Sequence, residues 1–192
     1  MITDKKYILE FLTNQKANHK GYIYNDLIEF SNKKMEECHD HIQWMFPTNQ
    51  PSKFASKFPI ITVDFVNYLK RNQETYNIVC MNMIKALERM EGFYNLYKYQ
   101  NHEIVDNIKD FYYFSKNNHN LLRITRIIRS LRLFELDEFS CRFYSRVMEV
   151  FKLFLNHFEK EFCQYGTEIN LFKEPLEYWN KAYYEDKWSI IQ

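Results

Sequence analysis

A chain of 192 residues with only three glycines and four prolines has few places to turn. A sandwich of short strands needs turn residues every eight to twelve positions, roughly, whereas a helix runs for several turns without one. The expected fold class is therefore all-α. Hydrophobic residues at 46% and charged residues at 27% describe a chain that buries a core rather than one too polar to fold. The length suits one such core. The sequence predicts a single compact domain over residues 1–192, built from about seven to nine helices.

Apolar spacing places the elements. Tyr7, Ile8, Phe11 and Leu12 predict a first helix from about Asp4 to Asn14, and His19 to Tyr22 a turn. Leu27, Ile28 and Phe30 predict a short helix, broken near Ser31. The next helix is expected to carry Met35, Cys38, Ile42, Met45 and Phe46 on one side. Pro47, Pro51 and Pro59 end it and hold 47–61 extended. Thr62 suits an N-cap, with Asp64 in the first turn favourable to the helix dipole. Residues 63–91 keep helical spacing; Arg71-Asn72-Gln73-Glu74 either divides them into two helices or marks an exposed turn within one, and Gly92 suits the stop. Residues 93–106 are ambiguous, and 107–115 is expected to form one short helix. Asn118 or Asn120 caps a helix that runs to about Leu133. Asp137 opens a long helix ending near Gly166, and Leu176, Trp179 and Tyr183 predict a final helix docked on the rest.

The helix before Leu133 carries the densest polar pattern. Leu121, Ile124, Ile127, Ile128 and Leu131 make a core stripe at about 100° per residue. His119, Arg123, Arg126 and Ser130 form a second line beside it, and Thr125, Arg129 and Arg132 a third. One reading is an anion or carboxylate site in which Arg123 and Arg126 provide a fork, with His119 and Asn120 nearby. The structural alternative pairs these arginines with acidic residues of neighbouring helices, such as Glu36, Glu37 or Asp137. In the earlier helix, His39, Ile42, Gln43 and Phe46 share a face, so an imidazole and an amide stand on an apolar side. They either fasten the helix to its neighbours or line a pocket with Trp44 and Phe46 as an aromatic floor.

Other chemistries find little support. His39 and His41 point to different sides of a helix, and Cys38 with His41 has no second pair at zinc spacing, so no metal is expected. Cys38, Cys80, Cys141 and Cys163 are far apart, as reduced thiols of a cytoplasmic protein would be. A formal charge of +1 gives no global pull on nucleic acid or membrane. The start of the chain lacks a signal-peptide apolar region, and no run reaches the roughly 18 apolar residues of a transmembrane segment. The abundance of Phe, Tyr, Lys, Asn and Ile is the composition expected of an AT-rich genome, as in a bacterium or large virus.

Two stretches, Cys38-His39-Asp40-His41-Ile42-Gln43-Trp44-Met45-Phe46-Pro47 and Asn118 to Arg132, resemble the conserved N-terminal domain of the opioid growth factor receptor family. Pro51-Ser52-Lys53-Phe54, Pro59-Ile60-Ile61-Thr62, Met83 to Met90 with Phe93-Tyr94, and Phe143-Tyr144 extend the resemblance, in order, over roughly residues 7–158. It implies a helical domain of the short microbial or viral type. The family tends to place glycine where Phe134 or Glu135 stands, so the exit from the arginine helix is expected to be tighter or longer. The resemblance is to the conserved domain, and the long repeat-bearing tail of the vertebrate receptors is not expected after Gln192. Those receptors are associated with enkephalin binding, growth control and a nuclear or perinuclear location, none of which a shared domain carries over alone.

Three functions stay open on sequence. The first is a non-enzymatic binding or interaction domain for a peptide, protein or anionic ligand held near His39, Gln43, Trp44, His119, Asn120, Arg123 and Arg126, with no cofactor and no catalytic residue. The second is an enzyme in which His39 or His119 acts as general base beside an Arg123/Arg126 clamp; it requires both histidines on one open cleft. The third is nucleic-acid binding along Arg123 to Arg132, with Tyr112 and Tyr113 stacking on bases.

Overall fold

The computed structural model describes residues 1–52, 55–96, 113–114, 119–162 and 173–189. Among them are nine helices: α1 (Lys5–Leu12), α2 (Tyr24–Ile28), α3 (Asn32–Glu37), α4 (His41–Met45), α5 (Val63–Lys70), α6 (Gln73–Phe93), α7 (His119–Leu133), α8 (Asp137–Phe162) and α9 (Lys173–Tyr184). The described residues form no sheet. Isolated bridges pair Ile2 with Pro59 and Thr48 with Ile60, tying the residues around Pro59 to the N-terminus and to Thr48. No helix of the described residues is long and apolar enough to cross a membrane.

Local chemistry sets most of these boundaries. Side-chain oxygens satisfy amides that a helix start leaves without partners. Asp4 Oδ1 accepts from the Lys6 and Tyr7 N–H groups, Ser31 Oγ from Lys34, Thr62 Oγ1 from Phe65 at 3.1 Å, and Asn72 Oδ1 from Thr75 at 3.0 Å. The division between α5 and α6 therefore falls where Asn72 can cap. The turn before α2 uses Gly21 at φ 86°, a conformation that costs a residue with Cβ. The end of α6 differs from expectation: Gly92 lies inside the helix and the stop is made by Asn95, left-handed at φ 54°. Most of the predicted 107–115 helix, the Asn118 cap and the Gly166 stop lie outside the described residues.

One larger correction concerns residues 35–46, expected as a single helix. The chain leaves helical geometry at Cys38 (ψ 88°) and re-enters it at His41, giving α3 and α4. Neither glycine nor proline marks the break. Tertiary partners hold it open. Arg123 Nη2 donates to the Met35 carbonyl at 2.9 Å, and the His41 ring nitrogen Nδ1 meets the Cys38 carbonyl. Asp40 is taken by Lys20 Nζ at 2.6 Å and by the Cys38 thiol at 3.3 Å.

Helix α7 is the centre of the molecule, packed against α4, α8 and α9. Its stripe is buried throughout, from Leu121 at 6% exposure to Ile124, Ile127, Ile128 and Leu131 at 0%. Burial at this level contributes roughly 2 kcal/mol per branched side chain. Trp179 of α9, fully buried, donates its indole N–H to the Leu121 carbonyl at 2.9 Å and fixes α9 across α7. Ser140 of α8 donates to the Ile128 carbonyl at 3.1 Å. A buried carboxylate, Glu91 of α6, meets Arg146 at 3.2 Å and Arg142 at 3.7 Å, tying α6 to α8.

Candidate functional site

Most bonds of the four α7 arginines go to neutral oxygens, and of the carboxylates that the structural reading named, Asp137 is the one approached among the described residues. Arg123 donates to Asn120 Oδ1 at 3.0 Å and to the Met35 carbonyl, and is 4% exposed. Arg126 donates to Thr48 Oγ1 at 3.0 Å and the Phe46 carbonyl at 3.5 Å. Arg129 donates to the carbonyls of Asp186 and Ser189, and Arg132 to those of Ala182 and Glu185. Among the described residues, only Arg132 also approaches a carboxylate, Asp137 at 3.9 Å. These carbonyls close helices and turns, so α7 serves as the strut on which α3, the 46–48 segment and the end of α9 are hung. Ser130 extends the pattern by donating to the Pro47 carbonyl at 2.7 Å.

The same ridge lines a cavity of about 610 Å³ between α4, the 48–52 segment, α7 and the start of α9. That size is typical of sites for small organic ligands. Arg123, Arg126 and Arg129 form its cationic side, and Glu174 is the one carboxylate among the described lining residues. Ile42, Pro51, Leu122 and Tyr178 supply apolar surface, and Thr48, Gln50, Ser52 and Thr125 hydroxyls and an amide. Burial pushes the Arg126 guanidinium down to about 10, with no charge opposing it, which marks a desolvated cation facing only neutral acceptors. Burial and the neighbouring Arg132 likewise lower Arg129.

His39 and His119 both line this cavity, their ring centroids 5.3 Å apart and their planes at 83°. His119 Nε2 lies 2.9 Å from Glu36 Oε2. Burial first, and then the Arg123 charge, hold His119 below the usual imidazole value, with Glu36 opposing. Gln43 sits on the cavity wall. With its amide nitrogen toward the backbone, it donates to the His39 and Asp40 carbonyls at 3.2 and 3.0 Å and accepts from Ser52 Oγ at 3.0 Å. The expected sharing of one helical face by His39 and Gln43 does not arise, because His39 lies in the break before α4. The two meet through the backbone instead.

Two predicted site residues are placed elsewhere. Trp44 is fully buried on the far side of α4, against Phe11 at 4.7 Å, His19 at 5.7 Å and Tyr7 at 6.3 Å. It forms core, not a cavity floor, and Phe46 beside it is also fully buried. Asn120, 0% exposed, works behind the cavity: it donates to Glu36 Oε1 at 3.0 Å and accepts from Arg123. It thereby orients both the guanidinium and the carboxylate that holds His119. Conversely, Thr48, Ser52, Leu122, Arg129 and Tyr178 line the cavity without having been singled out for it. Arg129 was visible as a neighbour on the helix, whereas Tyr178 gave no local signal. Tyr113, expected to stack on bases, is 1% exposed beneath Tyr94, and Tyr112 lies outside the described residues. Among the described residues, no three His, Cys, Asp or Glu side chains gather to hold a metal ion.

Fold and site together define an all-helical domain whose arginine helix anchors its neighbours and floors a cavity. The chain belongs to the family described as the opioid growth factor receptor (OGFr) conserved region, whose model it matches over residues 3–184. It is similar to the opioid growth factor receptor of Homo sapiens, 31% identical over 115 residues, which is 55% of this chain and 16% of that protein. The Mus musculus receptor is 29% identical over 127 residues, 62% of this chain and 19% of that protein. The Rattus norvegicus receptor is 30% identical over 115 residues, 55% of this chain and 18% of that protein. The match thus spans less than a fifth of these relatives. No solved structure matches the chain.

Proposed function

We propose that this chain is a non-enzymatic binding domain that seats an anionic ligand in the cavity between α4 and α7, with Arg126 as its principal contact. The observation that carries this reading is a desolvated guanidinium on a cavity wall, whose acceptors among the described residues are a hydroxyl and a carbonyl. An anion there would replace a long contact to a neutral carbonyl at 3.5 Å with a shorter bond to a charged acceptor, in which both partners are ionised. Arg123 and Arg129 add positive potential from behind. A cytoplasmic setting fits the free thiols of Cys38, Cys80 and Cys141. The test is calorimetric titration with inorganic phosphate and acetate, on the parent chain and on Arg126→Gln with its helicity checked. Measurable binding that falls about tenfold or more in Arg126→Gln supports the site. Equal binding by both proteins rejects it.

A second reading is favoured by one specific observation: His39 and His119 converge on the same cavity as the arginines, and Glu36 holds His119. That is the arrangement a general base needs. The reading predicts turnover of chromogenic carboxylic or phosphoric esters that disappears in His119→Gln. Absence of turnover in the parent chain rejects it. Nucleic-acid binding is less favoured, since the arginines are turned into the fold and Tyr113 is buried.

A further inference from the structure

Helix α6 turns Val79, Met83, Ala86 and Met90 into the core. At about 100° per residue, Glu74, Ile78, Met81, Lys85 and Glu88 form one stripe on the opposite side. All five are exposed, Ile78 at 42% and Met81 at 58%. A helix face turned to water ordinarily carries polar groups; the centre of this one is two large apolar side chains about one turn apart. Glu74, Lys85 and Glu88 take part in no ion pair among the described residues, so the charges around that centre are uncommitted.

The order of the stripe is acid, apolar, apolar, base, and reversed it is its own complement. In two antiparallel copies of α6 centred between Val79 and Cys80, Ile78 lies opposite the partner's Met81, and Glu74 opposite the partner's Lys85. Symmetry supplies each pair twice. About the same centre, Arg71, just before the Asn72 cap, falls opposite the partner's Glu88. A parallel pairing in register would instead set Glu74 and Lys85 each against its own copy. Antiparallel packing also opposes the two helix dipoles. A patch that complements itself under a two-fold axis is what an isologous dimer requires.

We propose that α6 is a homodimer surface, on which this stripe packs antiparallel against the same stripe of a second copy of the chain. A second copy is the occupant because the charge order is matched by itself. From Glu74 to Lys85 the stripe spans about 17 Å, and one helix face of that length covers less than the ~800 Å² per partner of a standard interface. The dimer is accordingly a weak one, populated at high micromolar concentrations and favoured by low salt. No described residue of α6 lines the cavity, so this inference stands apart from the anion site.

Sedimentation velocity of the full chain at low salt, from about 10 μM to about 1 mM, tests the proposal. The average mass should climb from the 23.8 kDa of one chain towards twice that. Met81→Glu, at an exposed position, should hold it at one chain throughout. Glu74→Lys and Lys85→Glu, each with its helicity checked by circular dichroism, should also stay single when alone, because like charges then face one another. Mixed together they should associate again, since each supplies the charge the other lacks. A constant single-chain mass for the parent overturns the proposal. Association that survives Met81→Glu puts the interface elsewhere and overturns it as well. Mixed variants that stay single where the parent associates overturn the antiparallel register.

Discussion

His41 sits one residue past the break before α4 with 1% of its surface exposed, and no partner for Nε2 stands among the described residues. Burial, and then the nearby Arg123 charge, push its imidazole down to about 4. Since the unfolded imidazole titrates near 6.5, the unfolded chain binds the proton first. Stability contributed by neutral His41 is therefore complete above about pH 6.5 and is lost as pH falls toward 4, by up to about 3 kcal/mol. Urea unfolding of the parent chain and His41→Gln across that window should show the dependence reduced in the variant. Parallel curves would contradict the burial account. Glu135 makes a different point. It stands left-handed at φ 61°, at one of the two places where the resemblance implies glycine. Its carboxylate partly offsets the strain through Lys70 at 2.8 Å. Glu135→Gly and Glu135→Ala both lose that pair, so their difference isolates the backbone. Glu135→Gly should be the more stable by about 1 kcal/mol, read by thermal or urea unfolding. Equal stabilities would mean the turn is unstrained. At this scale the sequence was informative where a residue type has one strong preference, as at Thr62. It misled where an aromatic or amide has several homes: Trp44 and Asn120 looked like ligand contacts and are interior.

Helix α7 joins sequence pattern to architecture most directly. Its core stripe and its end at Leu133 were readable because period and burial agree over fifteen residues. The role of its polar lines was not, because a guanidinium at a given spacing looks the same whether its acceptor is a carboxylate, a carbonyl or a ligand. Ser130 carries the strut function in its simplest form, a fully buried hydroxyl bonded to the Pro47 carbonyl. Ser130→Ala should destabilise the chain by about 1–2 kcal/mol by leaving that carbonyl unsatisfied, and should speed amide exchange in the 48–52 segment. A stability within error of the parent would show that Arg126 and the Ile61 N–H bond to the Thr48 carbonyl hold the 47–48 segment without the serine. The α3–α4 break was illegible for a related reason. Apolar spacing runs through it unbroken, and what opens it is Arg123, 88 residues from the Met35 carbonyl it captures.

For the whole molecule, the all-helical architecture followed from the shortage of turn residues and the order of apolar segments. The cavity did not follow, because no local pattern says that α9 crosses α7 or that Tyr178 and Glu174 close the wall opposite the 48–52 segment. The arginines and histidines were identified from sequence, and their meeting is a property of packing. Two tasks fall to the same side chains: Arg123 and Arg126 hold backbone carbonyls of distant segments and also floor the cavity. Substituting them therefore risks confusing lost binding with lost structure, and the central claim is best tested without mutation. The most direct measurement is the NMR signal of the Arg126 side-chain Nε–Hε group during titration with inorganic phosphate. Saturable movement of that signal, accompanied by amides of the 48–52 segment and the start of α9, is the predicted result. No movement at ligand concentrations that saturate the protein, or movement confined to surface lysines, would contradict an anion site floored by α7.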